Sequence, residues 1–313
     1  MEGGRCRLLV AADGSEHTQE LVDYIGGIIS PRHTELVFLH IMPKVPEALD
    51  DLEKDPPTLP NADHFRKWGL QRERQLRDLM RDFRRRLTET GIPEYSIRIS
   101  ILKAREGIAR DLLQEGRGGF DAIVVGRGGF GAADTQVMGS VAAKVAAKLD
   151  TANLWLVGKP PAGKRMIIAM DSSESAMRAV KHVSGMIDAS NCTVRLLHIV
   201  RGIKVCSAGM EKTFPEEYRR RLIEEAENQI GPAFEAAINI LVESGFEPEK
   251  ISTKVISGVA SRAGAIFEEA VREGCGTIVV GRKGLSSVGE FDMGRVTGKL
   301  IQLADSVALW VVA

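Results

Sequence analysis

Residues 122–145 read AIVVGRGGFGAADTQVMGSVAAKV, and residues 277–300 read TIVVGRKGLSSVGEFDMGRVTGKL. Both stretches obey G-x2-G-x9-G. The glycines are Gly126, Gly129 and Gly139 in the first and Gly281, Gly284 and Gly294 in the second, 155 residues apart throughout. An apolar run of strand character precedes each first glycine. A glycine pair at a strand end lets main-chain N–H groups approach a bound group without side-chain hindrance, and a third glycine opening a helix adds amides that favour an anion. Glycine after a strand often serves only a turn. The recurrence of the whole spacing, with a helix start each time, is more than a turn requires. The pattern therefore predicts one phosphate-cradling device built twice.

The duplication extends well beyond the glycines. RLLVAADGSEHT from Arg7 matches RMIIAMDSSESA from Arg165, which sets Asp13 opposite Asp171, and ELVFLHI matches VRLLHIV, which sets His40 opposite His198. NLWLVG with Trp155 matches VALWVVA with Trp310. A period this long marks a duplicated domain, not a solenoid unit. The seam is Gly158-Lys159-Pro160-Pro161-Ala162-Gly163, and it divides the chain into domains at 1–160 and 161–313.

Inside each half, strands alternate with helices. Strands are expected at 6–12, 34–42, 95–103, 121–126 and 153–158, with helices at 15–29, 64–90, 107–116 and 138–149. The second half repeats the order, with strands near 165–170, 192–200, 250–256, 276–281 and 307–313. Continuous apolar strands such as AIVVG are those of a parallel sheet covered by helices on both faces, so the fold class is doubly wound α/β. Such sheets bind ligands beyond the strand carboxyl ends. Asp13, Ile41 and Gly126 converge there in one half; Asp171, Ile199 and Gly281 do so in the other.

Composition limits the function classes. The 313 residues are 44% apolar and 27% charged, and the formal net charge is zero, so no global field draws the chain to nucleic acid or acidic lipid. The four cysteines are scattered without a C-x-x-C pair, which argues against a zinc site or disulfide framework and fits a reducing cytoplasm. No segment reads as a membrane span or signal peptide.

Other signals weigh less. Gly126-Arg127-Gly128-Gly129-Phe130-Gly131 satisfies G-x-G-x-x-G but follows the fourth strand, not the first, so it is no dinucleotide fingerprint; no P-loop motif occurs. Asp13 and Asp171 either cap the following helix beside Ser15 and Ser173 or contact a ligand. His40 and His198, within apolar strands, read as satisfied core histidines, and no general-base pair or triad is visible. The arginine-rich helix at 64–90 has an apolar face at helical spacing, so its arginines read as a solvated face that the acidic segment Pro43 to Asp63 could neutralise. Gly231-Pro232 is expected to kink or divide the matching helix of the second half. The loops at 203–214 and 285–293 are candidate moving parts.

On the aspartates after the first strands, the Leu39-His40-Ile41 and Leu197-His198-Ile199 triplets and the glycine motif ending in Ser140, the chain resembles the universal stress protein family in tandem form. The resemblance implies two Rossmann-like (adenine nucleotide alpha hydrolase-like) domains, each a five-stranded parallel sheet in the order 3-2-1-4-5. It implies ATP binding, with Mg2+ a candidate companion, and no catalytic residues. Asp13, Ile41, Gly126, Gly129, Gly139, Ser140 and Val141 would line the first site. Asp171, Ile199, Gly281, Gly284, Gly294, Val296 and Thr297 would line the second, where Arg295 replaces the motif's serine. Arg295 either clamps a phosphate or fills the cradle itself, and the first domain is the more complete match. The resemblance also implies pairing of the last strands, Ala152–Gly158 with Val307–Ala313, as an internal pseudo-dimer, with a homodimer of whole chains left open. The expected function is a cytoplasmic nucleotide-binding stress-response regulator. The alternatives are a slow ATPase or phosphotransferase, or an interaction module without nucleotide in the second domain.

Overall fold

The computed structural model of the chain describes residues 6–31, 33–43, 62–128, 138–158, 163–202, 216–285 and 293–313. The first half runs β1 (Cys6–Ala11), α1 (Glu16–Ile28), β2 (Thr34–Met42), α2 (Ala62–Glu89), β3 (Ile97–Lys103), α3 (Ile108–Gly116), β4 (Ala122–Gly126), α4 (Ser140–Lys148) and β5 (Asn153–Val157). The second half repeats it as β6 (Arg165–Met170), α5 (Glu174–Met186), β7 (Thr193–Arg201), α6 (Glu216–Glu243), β8 (Ile251–Val259), α7 (Arg262–Arg272), β9 (Thr277–Gly281), α8 (Arg295–Leu303) and β10 (Ala308–Val312).

All ten strands form one sheet in the order β3-β2-β1-β4-β5-β10-β9-β6-β7-β8. Each half is parallel in the order expected, and the halves join where β5 and β10 pair antiparallel, Trp155 opposite Trp310. Alternation along the strands feeds two cores. Leu8, Val10, Val124 and Trp155 face α1, α2, α5 and α6, while Leu9, Ile123, Val125 and Leu154 face α3, α4, α7 and α8. Both cores run across the seam, so neither half closes its apolar surface alone.

The seam has a polar lock inside the apolar one. The Trp155 and Trp310 rings stack face to face with centroids 3.6 Å apart and planes 6° from parallel, and the pair contributes through the apolar area it buries. Each indole N–H is satisfied by the opposite half: Trp310 Nε1 donates to the Tyr24 hydroxyl at 2.8 Å, and Trp155 Nε1 donates to His182 Nε2 at 3.0 Å. Tyr24 continues to Thr277 Oγ1 and His182 to the side-chain amide of Asn153. Beside this lock the ends of α1 and α5 form an antiparallel bridge, Ile29 to Ile187.

One expectation needs correction. Pro232 does not divide its helix: α6 runs unbroken for 28 residues, as does α2. Proline costs one main-chain donor, but Ile230, Phe234, Ala237 and Leu241 pack a buried face against the sheet, and tertiary packing outweighs the local penalty. On α2 several arginines are paired: Arg77 with Glu73, Arg81 with Asp78, Arg85 with Asp82 and Glu89, and Arg86 with Asp82 within the helix, while Arg84 reaches Glu94 and Arg86 also Asp23. Residues 44–61, the acidic segment offered for that role, lie outside the described residues. So do most of the loops at 203–214 and 285–293, and the seam residues 159–162. No described helix is long and apolar enough to cross a membrane.

Candidate functional site

At the carboxyl ends of β6, β7 and β9 the second half opens into a cavity of about 1020 Å³. Asp171, Ile199, Gly281, Gly284, Gly294, Val296 and Thr297 all line it. The floor is apolar, with Leu197, Ile199, Ile266 and Val280, and His198 stands in the wall.

The glycines are explained by close approach. A Cβ on Gly281 would strike Ser175, and one on Gly284 would strike Asp171 Oδ2. A Cβ on Gly294 would come within 3.2 Å of the Arg282 carbonyl, to which Gly294 N–H already donates at 2.8 Å. That bond seats the start of α8 against the strand end, leaving the first N–H groups of the helix without intrahelical acceptors. The Thr297 hydroxyl donates to Gly281 O at 2.8 Å and fixes the same junction from within. Gly139 repeats this in the first half, donating to Arg127 O at 2.8 Å with nearly the same backbone angles as Gly294.

The aspartates organise loops. Asp13 Oδ1 accepts from Ser15 N–H, Ser15 Oγ and Thr18 Oγ1 at 2.9, 2.6 and 2.7 Å. Asp171 Oδ1 accepts from Ser173 N–H and Oγ, and Oδ2 reaches across to accept from Leu285 N–H at 3.2 Å. The histidines are satisfied as expected: Nδ1 of His40 donates to Ala12 O at 2.6 Å, and that of His198 to Met170 O at 2.7 Å. Hydroxyls at the site are likewise engaged, since Ser173 Oγ caps Ala176 N–H and Ser261 Oγ caps Gly264 N–H.

In the first half Asp13, Ile41, Gly126, Gly139, Ser140 and Val141 stand at the corresponding strand ends and helix start. Gly129 lies outside the described residues, as do 130–137. The His17 ring covers this site's glycine loop closely enough that a Cβ on Gly128 would lie 2.9 Å from it. Ser175 and Lys283 hold the equivalent places in the second half.

The cavity is ringed by cations. Arg201, Arg262, Lys283, Arg295 and Lys299 line it, against Asp171 as the one acid among the described lining residues. Arg295 is exposed and lines the cavity. Sequence reasoning singled out Arg295 alone of these five, because the others sit on separate strand ends and helix starts that only the fold assembles. A position-by-position comparison of the halves holds the missing signal: where Arg201, Arg262, Lys283 and Arg295 stand, the first half has Pro43, Ile108, Gly128 and Ser140.

A sequence model described as "Universal stress protein family" matches residues 5–154 and again 163–312. The chain belongs to the universal stress protein family. Comparison with curated proteins finds no match. Among solved structures, a universal stress protein from Archaeoglobus fulgidus DSM 4304 aligns over 98% of this chain and 97% of its own, at 15% identity and a TM-score of 0.59. A protein of unknown function, PA1789 from Pseudomonas aeruginosa PAO1, aligns over 98% and 92%, at 12% identity and a TM-score of 0.50. The hypothetical protein MJ0577 aligns over 47% of this chain and 94% of its own, at 26% identity and a TM-score of 0.39. At these identities the first two likenesses speak for the universal stress protein fold alone.

Proposed function

We propose that this universal stress protein is a cytoplasmic regulator that binds an adenine nucleotide, ATP in the first instance, with little or no catalysis. Each half, 1–160 and 161–313, carries one site. The observation that supports this most is the second-half cavity: an apolar floor wide enough for a base and ribose, a helix start offering free amides, and a cationic rim. An adenine ring fits the floor and a phosphate chain the helix start, where backbone N–H groups and the helix dipole favour negative charge. In this reading Asp13 and Asp171 shape the loops against which the nucleotide rests, and Ser140 offers the first site a hydroxyl where the second has Arg295. The engaged hydroxyls and the doubly occupied Asp171 favour binding over turnover.

Titration calorimetry of the full chain with ATP, ADP and AMP tests the reading. Saturable heat is expected, weakened by Gly294→Trp in the second half and by Gly139→Trp in the first. No heat with any nucleotide at high protein concentration rejects it.

A further inference from the structure

The rim of the second cavity carries far more positive charge than its counterpart. Arg201, Arg262, Lys283, Arg295 and Lys299 surround it, and Lys144 alone of the corresponding first-half residues is cationic. Among the described residues no carboxylate pairs with any of the five; the Arg262 guanidinium donates instead to the Ile199 carbonyl at 3.3 Å. Among the described residues, that charge is left to a ligand. A nucleoside triphosphate carries about four negative charges near neutral pH, which five cations match.

A magnesium ion bridging those phosphates fits this rim poorly. It requires oxygen ligands in near-octahedral geometry. Asp171, the one acid among the described lining residues, spends Oδ1 on two donors of Ser173 and Oδ2 on Leu285 N–H. A divalent cation would also cancel ligand charge that the guanidinium and ammonium groups would otherwise meet. Arg295 is the first residue of α8 and lines the cavity beside the helix amides.

We propose that the second-half cavity takes its nucleotide as the metal-free polyanion, its own cations supplying the neutralisation that Mg2+ would provide. This rests on the nucleotide reading above and makes the two halves chemically distinct sites, the second opposed by Mg2+.

The test is calorimetry of the full chain with ATP, once with EDTA and once with saturating MgCl2 at matched ionic strength. Lys283→Gly/Arg295→Ser, which installs the first-half residues, identifies the second-half step. Arg201→Gln/Lys299→Gln, confined to exposed side chains, does the same should the first pair disturb folding. The expected result is one binding step weakened about tenfold by Mg2+, and weakened about as much in EDTA by either variant, with the Mg2+ effect then lost. Overturning results are Mg2+ tightening or leaving unchanged every step, or both variants leaving ATP affinity in EDTA unaltered; either leaves nucleotide binding standing. Absence of ATP heat in both buffers instead removes the nucleotide reading, and the inference with it.

Discussion

The two halves of this chain agree at their shared seam and part company at their strand ends. At the seam Tyr24 caps the Trp310 indole and His182 caps that of Trp155. A phenol and an imidazole thus perform one task, accepting an N–H buried between sheets of apolar side chains. At the strand ends one exchange is reciprocal: His17 with Gly128 is large on the helix and small on the loop, and Ser175 with Lys283 is the reverse. There the second half also gains Arg201, Arg262 and Arg295 where the first has Pro43, Ile108 and Ser140, which makes one rim strongly positive.

The seam comparison breaks most visibly at the stacked indoles. Trp155→Ala and Trp310→Ala are each expected to cost about 3–5 kcal/mol in urea unfolding, and the double variant less than the sum because each ring is the other's partner. Equal and fully additive costs would show that the stack is incidental.

The caps differ in their response to acid. Burial lowers the His182 pKa from 6.5 to about 4, whereas burial pushes the Tyr24 phenol upward. His182 is neutral in the fold, so its contribution is complete above pH 6.5 and is lost as pH falls toward 4, reaching about 3 kcal/mol at the acid end. His182→Tyr, which makes the two caps alike, should flatten the dependence of the unfolding midpoint between pH 4 and 6.5. An unchanged profile would place the acid sensitivity elsewhere.

A smaller effect tests the volume exchange. Gly128→Ala should cost about 1–2 kcal/mol against the His17 ring, and His17→Ser should recover most of it, measured as coupling in a double-mutant cycle. Smallest is a backbone effect: Ser172 adopts φ 60° where its counterpart Gly14 has φ 80°. Ser172→Gly is expected to raise stability by about 0.5–1 kcal/mol, and thermal unfolding reads it. No gain there would mean that the Ser172 side chain repays its strain.

Much of this organisation was legible in the residues. Runs such as AIVVG placed the strands nearly to the residue, because a strand buried on both faces has no polar interruption. The satisfied state of His40 and His198 followed from their apolar flanks. Helix capping and ligand contact could not be separated for Asp13 and Asp171, since local spacing is the same for both. Tyr24 and His182 were invisible as caps because the antiparallel β5–β10 register, not local sequence, carries each indole to the other half. Pro232 leaves its helix undivided for the opposite reason: its local signal was strong, and long-range packing overrode it.

The central claim is that the second-half cavity grips a nucleotide through the amides at the start of α8 beneath a cationic rim. A crystal structure of the full chain grown with ATP and EDTA tests it most directly. The account predicts base and ribose over Ile199 and Val280, with phosphates at the main chain of Gly294, Arg295 and Val296. Solvent alone in that cavity at saturating ATP would contradict it.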